Sequence, residues 1–200
     1  MLVLDHVFCM VPPDGDWAAR LAGAGWALDA GTAHAGQGTR NRRLVLARQY
    51  LELAWVEDDA VARGNQLRLD RRADWRRTGA SPFGIGLRGR LPGDRLGDYR
   101  PYEGLPIRVW VHRDDERAPE RPLVFVLEVD EDEALPGRPP DAARAHLGEL
   151  LAVRHTGPAA PDLPPHDGPS VVSEPGPHAL EIVVDTGRPV AVTEIVAIAT

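Results

Sequence analysis

The 200-residue chain has no lysine; all 23 of its basic residues are arginine. Without that amine there is no Schiff-base or pyridoxal-phosphate anchor, no phosphate-loop lysine and no kinase-type ion pair to ATP, so no nucleotide cofactor is expected. Serine is almost as scarce: Ser81, Ser170 and Ser173 are the only three, and none stands in a G-x-S-x-G elbow, which argues against a serine hydrolase of that type. The one cysteine, Cys9, permits neither an intrachain disulfide nor a cysteine-rich zinc site and suits a reducing compartment. No run approaches the roughly 20 apolar residues of a membrane span. The opening MLVLDHVF carries Asp5 and His6 inside its apolar stretch and has no basic segment, so it predicts a strand and not a leader. With 30 acidic residues the formal charge is −7, which disfavours nonspecific nucleic-acid binding. A soluble, cytoplasmic protein is expected, with neither membrane nor nucleic acid as partner.

Apolar residues make up 43% of the chain, and a chain this long can bury about 70% of its unfolded surface, so a proper core is expected. Four of the 19 prolines precede residue 100 and fifteen follow it, so the second half must consist of short strands and loops with little helix. Residues 2–9 have the β-branched and aromatic content of a strand, and PPDGD then turns the chain with Asp14 or Asp16 as a helix cap. Residues 17–22 predict a short helix with Trp17 and Leu21 on one face, stopped near Gly23 and Gly25. WALDAG, RRLVLA and QYLELAWV follow as strands, the last two as a hairpin, so residues 1–57 read as one β-α-β-β-β module. Residues 58–80 are polar and arginine-rich, a linker in which DRRADWRR forms a short helix anchored by Trp75. Residues 81–134 repeat the strand set as PFGIGLRG, LPIRVWVH and RPLVFVLEV, with the helix lost in the turn-rich GDRLGDYRPYEG. Residues 135–200 predict a brief helix within PGRPPDAARAHLGELLAVRHT entering a strand, then a hairpin from ALEIVVDTG and PVAVTEIVAI, an extension that completes the sheet.

Three segments carry a specific likeness: LDHV at the start, HAGQGTRN at 34–41, and the YLEL strand that follows RRLVLARQ. The set resembles the glyoxalase-like branch of the vicinal-oxygen-chelate (glyoxalase, bleomycin resistance, dioxygenase) superfamily. The likeness covers residues 2–57 and extends weakly to about residue 130. It implies an α+β fold in which paired βαβββ modules form one half-open, cupped mixed sheet, the second module poor in helix, with extra C-terminal strands. In metal-dependent members a divalent ion sits in the cup on one histidine and one glutamate from each module. Matched position by position, His6 and Glu52 form the first pair and Glu128 is the second glutamate, while Gly84 or Gly86 stands where the other histidine belongs. A histidine with two carboxylates suits Fe, Mn, Ni, Co or Zn with positions left open for vicinal substrate oxygens. His146 and His178 remain as stand-ins for the fourth ligand. The resemblance also implies a homodimer, formed through strand edges or module exchange.

The bland readings stand beside these. A strand histidine is usually packed or hydrogen-bonded, Glu52 can face solvent from an edge strand, and Glu128 heads the acidic run EVDEDE, which is more often a solvated turn. Strand period puts His6 on a face with Leu4 and Phe8, and Glu52 with Tyr50 and Ala54. In HAGQGTRN, Gly36 and Gly38 either supply positive φ for a tight excursion or let the backbone approach a ligand, which His34, Thr39, Arg40 and Asn41 would then read. Gly84, Gly86 and Gly89 spell G-x-G-x-x-G, yet Pro92 and Gly93 follow where a dinucleotide fold needs a helix. RRADWRR resembles a basic patch but is expected to be a solvated helix face. Two functions follow from different classes. The first is a glyoxalase-like lyase, isomerase or dioxygenase in which a metal chelates the substrate and Glu52 or Glu128 moves a proton. The second is a metal-free module that sequesters a small molecule among Tyr50, Trp55, Trp110 and Phe125. A structural domain with no ligand is a third, which the polar HAGQGTRN loop argues against.

Overall fold

A computed structural model of the chain describes residues 1–13, 15–129, 148–185 and 189–191. The first module runs β1 (Leu2–Met10), α1 (Trp17–Gly23), β2 (Ala33–His34), β3 (Thr39–Val45) and β4 (Tyr50–Val56). Three short helices follow, α2 (Asp59–Gly64), α3 (Leu69–Ala73) and α4 (Trp75–Thr78). The second module is β5 (Phe83–Gly89), β6 (Tyr99–Tyr102), β7 (Arg108–His112), α5 (Asp114–Arg117) and β8 (Leu123–Glu128). The C-terminal strands are β9 (Leu150–Gly157), β10 (Ser170–Pro175), β11 (Ala179–Val184) and β12 (Pro189–Ala191).

The modules join in one eight-stranded mixed sheet, order β2-β3-β4-β1-β5-β8-β7-β6, so the strands of the second mirror those of the first about the β1–β5 seam. Alternation of residue type decides which face of this sheet is which. Leu51, Leu53, Ile85, Leu87, Val124 and Val126 are buried in the main core on the outer face, which α1 covers through Trp17 and Leu21. Phe8, Met10, Ala54, Val109, Val111, Leu123 and Leu127 form a second, inner cluster that faces the hollow. The linker is more than a connection, because Leu67 and Leu69 join the inner cluster and line the hollow.

Three expectations change. WALDAG does not form the second strand: the Asp29 carboxylate takes the N–H of Gly31 and of Arg43, Gly31 sits at φ +73°, and the paired strand is Ala33–His34 instead. GDRLGDYRPYEG is a 3-10 turn at 93–98 followed by β6, an unforeseen strand whose Pro101 is tolerated because β6 is an edge. The C-terminal extension does not complete the cup; β10-β9-β11-β12 is a separate four-stranded sheet. Its Leu150, Val153, Leu180, Ile182 and Val184 pack into the main core on the outer face. The second module has no long helix of its own there, and the extra sheet supplies the apolar cover. Asp16, one of the two expected cap residues, stands at the N-cap of α1 without a side-chain cap bond. Asp14, the helix expected before residue 148, His146 and the end of the last hairpin lie outside the described residues.

The second sheet brings a buried imidazole with it. His155 lies against Phe83 edge-on at 6.0 Å and pairs with Ser173 Oγ at 2.8 Å. Burial, then the charge of His178, lowers its pKa from 6.5 to about 4. The folded state therefore refuses a proton that the unfolded chain accepts, so stability falls as pH drops from about 6.5 to about 4, by about 3 kcal/mol over that window. Urea melts of the wild type and of His155→Gln across that window are expected to converge toward the acid end, because the variant lacks this loss.

The two edges of the half-open barrel are clipped by one side chain. Asn65, at the end of α2, donates through Nδ2 to Gly36 O beside β2 (2.7 Å) and to Tyr102 Oη on β6 (2.9 Å), while its Oδ1 accepts from Leu67 N (2.8 Å). Asn65→Ala is expected to cost about 1–2 kcal/mol and to speed hydrogen exchange at residues 33–38 and 99–107 before the main core responds.

Candidate functional site

The concave face of the sheet encloses a cavity of about 350 Å³. Each module walls one half of it, and the halves differ in chemistry.

The first-module wall is polar. A register shift between Leu4 and His6 marks a β-bulge at Asp5 against β5. The bulge changes the expected face: Leu4 packs in the main core with Leu2, Val7 and Cys9, while His6 shares the cavity with Phe8 and Met10. It also sets two adjacent side chains against each other, Asp5 Oδ1 lying 2.7 Å from His6 Nδ1. The other oxygen of Asp5 is 2.9 Å from Arg88 Nε on β5, and all three residues are buried. The carboxylate thus takes the Nδ1 hydrogen and leaves Nε2 directed to the cup. The ring is fixed on both sides, stacked on Tyr50 at 4.4 Å and 9° and touched edge-on by Phe125 at 5.2 Å. Burial, then the charges of Asp5 and Glu52, pushes the Tyr50 hydroxyl well above its ordinary pKa, so it stays neutral.

Glu52 faces His6 from β4, with Oε2 3.4 Å from His6 Nε2 and Oε1 3.6 Å from His34 Nε2. Asn41 on β3 orders this group. Its Oδ1 accepts from Thr32 N at 2.7 Å, which fixes the amide so that Nδ2 donates to Glu52 Oε1 at 2.6 Å and lies 3.0 Å from His34 Nε2. Burial alone would raise the Glu52 pKa, but contact with His34, the charges of His6 and His34 and the Asn41 bond outweigh it and hold it at about 2. Glu52 is therefore ionised through the physiological range.

Of the residues singled out from sequence, the fold brings His6, His34, Thr39, Asn41, Tyr50, Glu52 and Phe125 together around the cavity. Five others stand elsewhere. Arg40 points out from β3 and pairs with Glu57 at 2.8 Å. Trp55 packs against Trp17, centroids 5.7 Å apart, in the main core. Trp110 packs there too and donates its indole N–H to Glu128 Oε2 at 2.7 Å, so Glu128 sits with Trp110, away from His6 and Glu52. Strand period is the reason: Phe125 faces the cup, and Glu128, an odd number of residues away, cannot share its face. His178 lies beside Trp75 and Phe83 at the second sheet and does not reach the cup. Sequence reasoning missed Asp5, Arg88, Arg43 and the apolar wall. The alternation L-F-L at 123, 125 and 127 was the available signal for that wall.

The second-module wall is apolar: Leu123, Phe125 and Leu127 on β8, with Val109 and Val111 on β7. The glycines found at the histidine position have a packing cause. A Cβ at Gly84 would lie 2.0 Å from Phe8 Cε1, and one at Gly86 would lie 2.7 Å from Phe125 Cζ and 2.9 Å from His6 Cε1. The Phe8 and Phe125 rings fill the space that a second ligand pair would need. The four-ligand centre of metal-dependent relatives therefore does not fit these residues. On the first wall the Asn41 amide presents N–H groups to Glu52 and His34, where a cation would need lone pairs. Among the described residues no group of three or more His, Cys, Asp or Glu side chains is arranged to hold a metal ion.

Residues 4–90 match the family described as the glyoxalase-like domain. That match spans the first module, the linker and β5, and together with the paired-module cup it supports the likeness to the vicinal-oxygen-chelate superfamily. No curated protein matches the chain. Solved structures that superpose on it include a hypothetical protein from Staphylococcus aureus, at 12% identity and TM-score 0.48, covering 96% of this chain and 85% of that one. A methylmalonyl-CoA epimerase from Mycobacterium tuberculosis superposes at 17% identity and TM-score 0.42, covering 64% and 88%. A variant of the Streptomyces coelicolor methylmalonyl-CoA epimerase, solved with 2-nitronate-propionyl-CoA, superposes at 16% identity and TM-score 0.43, covering 68% and 100%. No helix among the described residues is long and apolar enough to cross a membrane.

Proposed function

We propose that the protein is a glyoxalase-like enzyme that moves a proton on a small carbonyl compound with an apolar body, with His6 as the acid–base group and without a metal ion. The observation that carries this reading is the Arg88–Asp5–His6–Glu52 chain at the wall of a hollow. Asp5 and Arg88 fix the imidazole so that Nε2 meets the substrate, and Glu52 beside Nε2 stabilises the positive charge that the ring gains on taking a proton. The proton leaves the carbon next to the substrate carbonyl and returns to that carbon or its neighbour, as in an isomerase. Asn41 and His34 hold Glu52 in position, and the apolar second wall takes the rest of the molecule and keeps water out.

A second reading, capture of a small molecule without turnover, is favoured by one feature, the absence of any polar side chain on β8 toward the cavity. Proton NMR separates the two. A panel of uncharged aryl and branched-alkyl α-hydroxyketones in D₂O is expected to lose the carbinol C–H signal in the presence of the wild-type protein. Saturation transfer to a probe with no loss of that signal supports capture and contradicts catalysis.

A further inference from the structure

We infer that the cup selects by charge: it takes an apolar body ending in an uncharged or cationic hydrogen-bond donor and turns away the matching carboxylate or phosphate. The inference rests on the reading of the cup as a small-molecule site and adds the class of head group.

The charge arrangement of the polar wall carries it. Two guanidinium groups stand in or behind that wall, and each has a carboxylate of its own. Arg88 Nε is 2.9 Å from Asp5 Oδ2. Arg43 Nε is 2.6 Å from Asp29 Oδ2, and the Arg43 backbone N–H donates to Asp29 Oδ1 at 2.8 Å. Glu52 is the third carboxylate, and its contacts are the two imidazoles and Asn41, none of them a guanidinium. The His6 ring lies between two carboxylates, Asp5 Oδ1 2.7 Å from Nδ1 and Glu52 Oε2 3.4 Å from Nε2. Glu52 is thus the charge that a ligand head meets.

The opposite wall sharpens the effect. Val109, Leu123, Phe125 and Leu127 offer no hydrogen bond to an anion and lower the local dielectric, so like charges repel over a longer range than in water. A hydroxyl or ammonium group donates to Glu52 and leaves the apolar body on those side chains. A carboxylate in the same place meets a second carboxylate and loses its hydration. Arg43 also lines the cavity, and it is the group through which an anion would gain a foothold if Asp29 did not neutralise it.

Three probes with one body test this: 2-phenylethanol, 2-phenylethylamine and phenylacetate, with Kd measured by ligand-observed NMR at one alkaline pH and one ionic strength. The alcohol and the amine are expected to bind at least about tenfold more tightly than the acid. In Glu52→Gln that gap is expected to close. Phenylacetate binding as tightly as the alcohol to the wild type, or a gap that persists in the variant, overturns the inference and leaves the small-molecule site standing. Failure of all three to bind overturns both. The wild-type ranking decides the matter even if the variant does not fold.

Discussion

Replacing His6 with alanine is expected to slow proton exchange on a responsive α-hydroxyketone by about 10²–10⁴-fold, the usual contribution of one positioned acid–base group. Four contacts fix the geometry of the ring: Asp5 at Nδ1, Glu52 near Nε2, Tyr50 stacked on one face and Phe125 against an edge. Asp5 keeps Arg88 as a partner in the variant, so the fold is expected to survive and circular dichroism to stay unchanged. Asp5→Asn separates positioning from chemistry. The asparagine fills the same space but no longer stabilises the ring when it carries a proton, so kcat is expected to fall while KM stays near the wild-type value. A fall in KM affinity with kcat intact would instead assign His6 and Asp5 to binding.

The largest expected loss of stability lies in the linker. Arg72 on α3 is 2% exposed; its Nη1 donates to Ser81 O (2.8 Å) and Arg121 O (3.0 Å), and its Nη2 donates to Asp115 Oδ1 (2.8 Å). Burial lowers the pKa of Arg72 and raises that of Asp115, each opposed by the other's charge, so neither tolerates the loss of its partner. Arg72→Met leaves a buried carboxylate with Arg100 alone, at 3.3 Å, and strips two carbonyls of their donor. Urea denaturation is expected to show a loss of about 3–5 kcal/mol. Arg72→Met combined with Asp115→Leu is expected to recover part of it, since no uncompensated charge then remains. A loss below about 1 kcal/mol would mean that the pair behaves as a surface salt bridge.

Much of the first module was legible because local chemistry and tertiary structure agree there. QYLELAWV becomes β4 almost to the residue, Trp17 and Leu21 share the buried face of α1, and His6 and Glu52, 46 positions apart in the chain, come within 3.4 Å. The misplaced residues share one cause. Trp55, Trp110 and Glu128 are each an odd number of residues from a cup-facing position on the same strand, Tyr50, Val109 and Phe125 respectively, and period two sends them to the outer face. The bulge at Asp5 was not legible, because it depends on pairing with β5 across more than 80 residues, and it is the bulge that sets Leu4 and His6 on opposite faces. Arg72 was read as part of a solvated helix face for a related reason: nothing near it in the sequence announces that Ser81, Asp115 and Arg121 will surround it. β6 was hidden by Pro101, whose tolerance only the edge position explains.

In the proposed reaction His6, held by Asp5 and Glu52, moves the proton with no ion beside it. The most direct measurement is the carbinol exchange rate of one sample before and after exhaustive dialysis against EDTA. The same rate is expected in both. Loss of exchange on dialysis, with recovery on adding manganese or nickel, would contradict it.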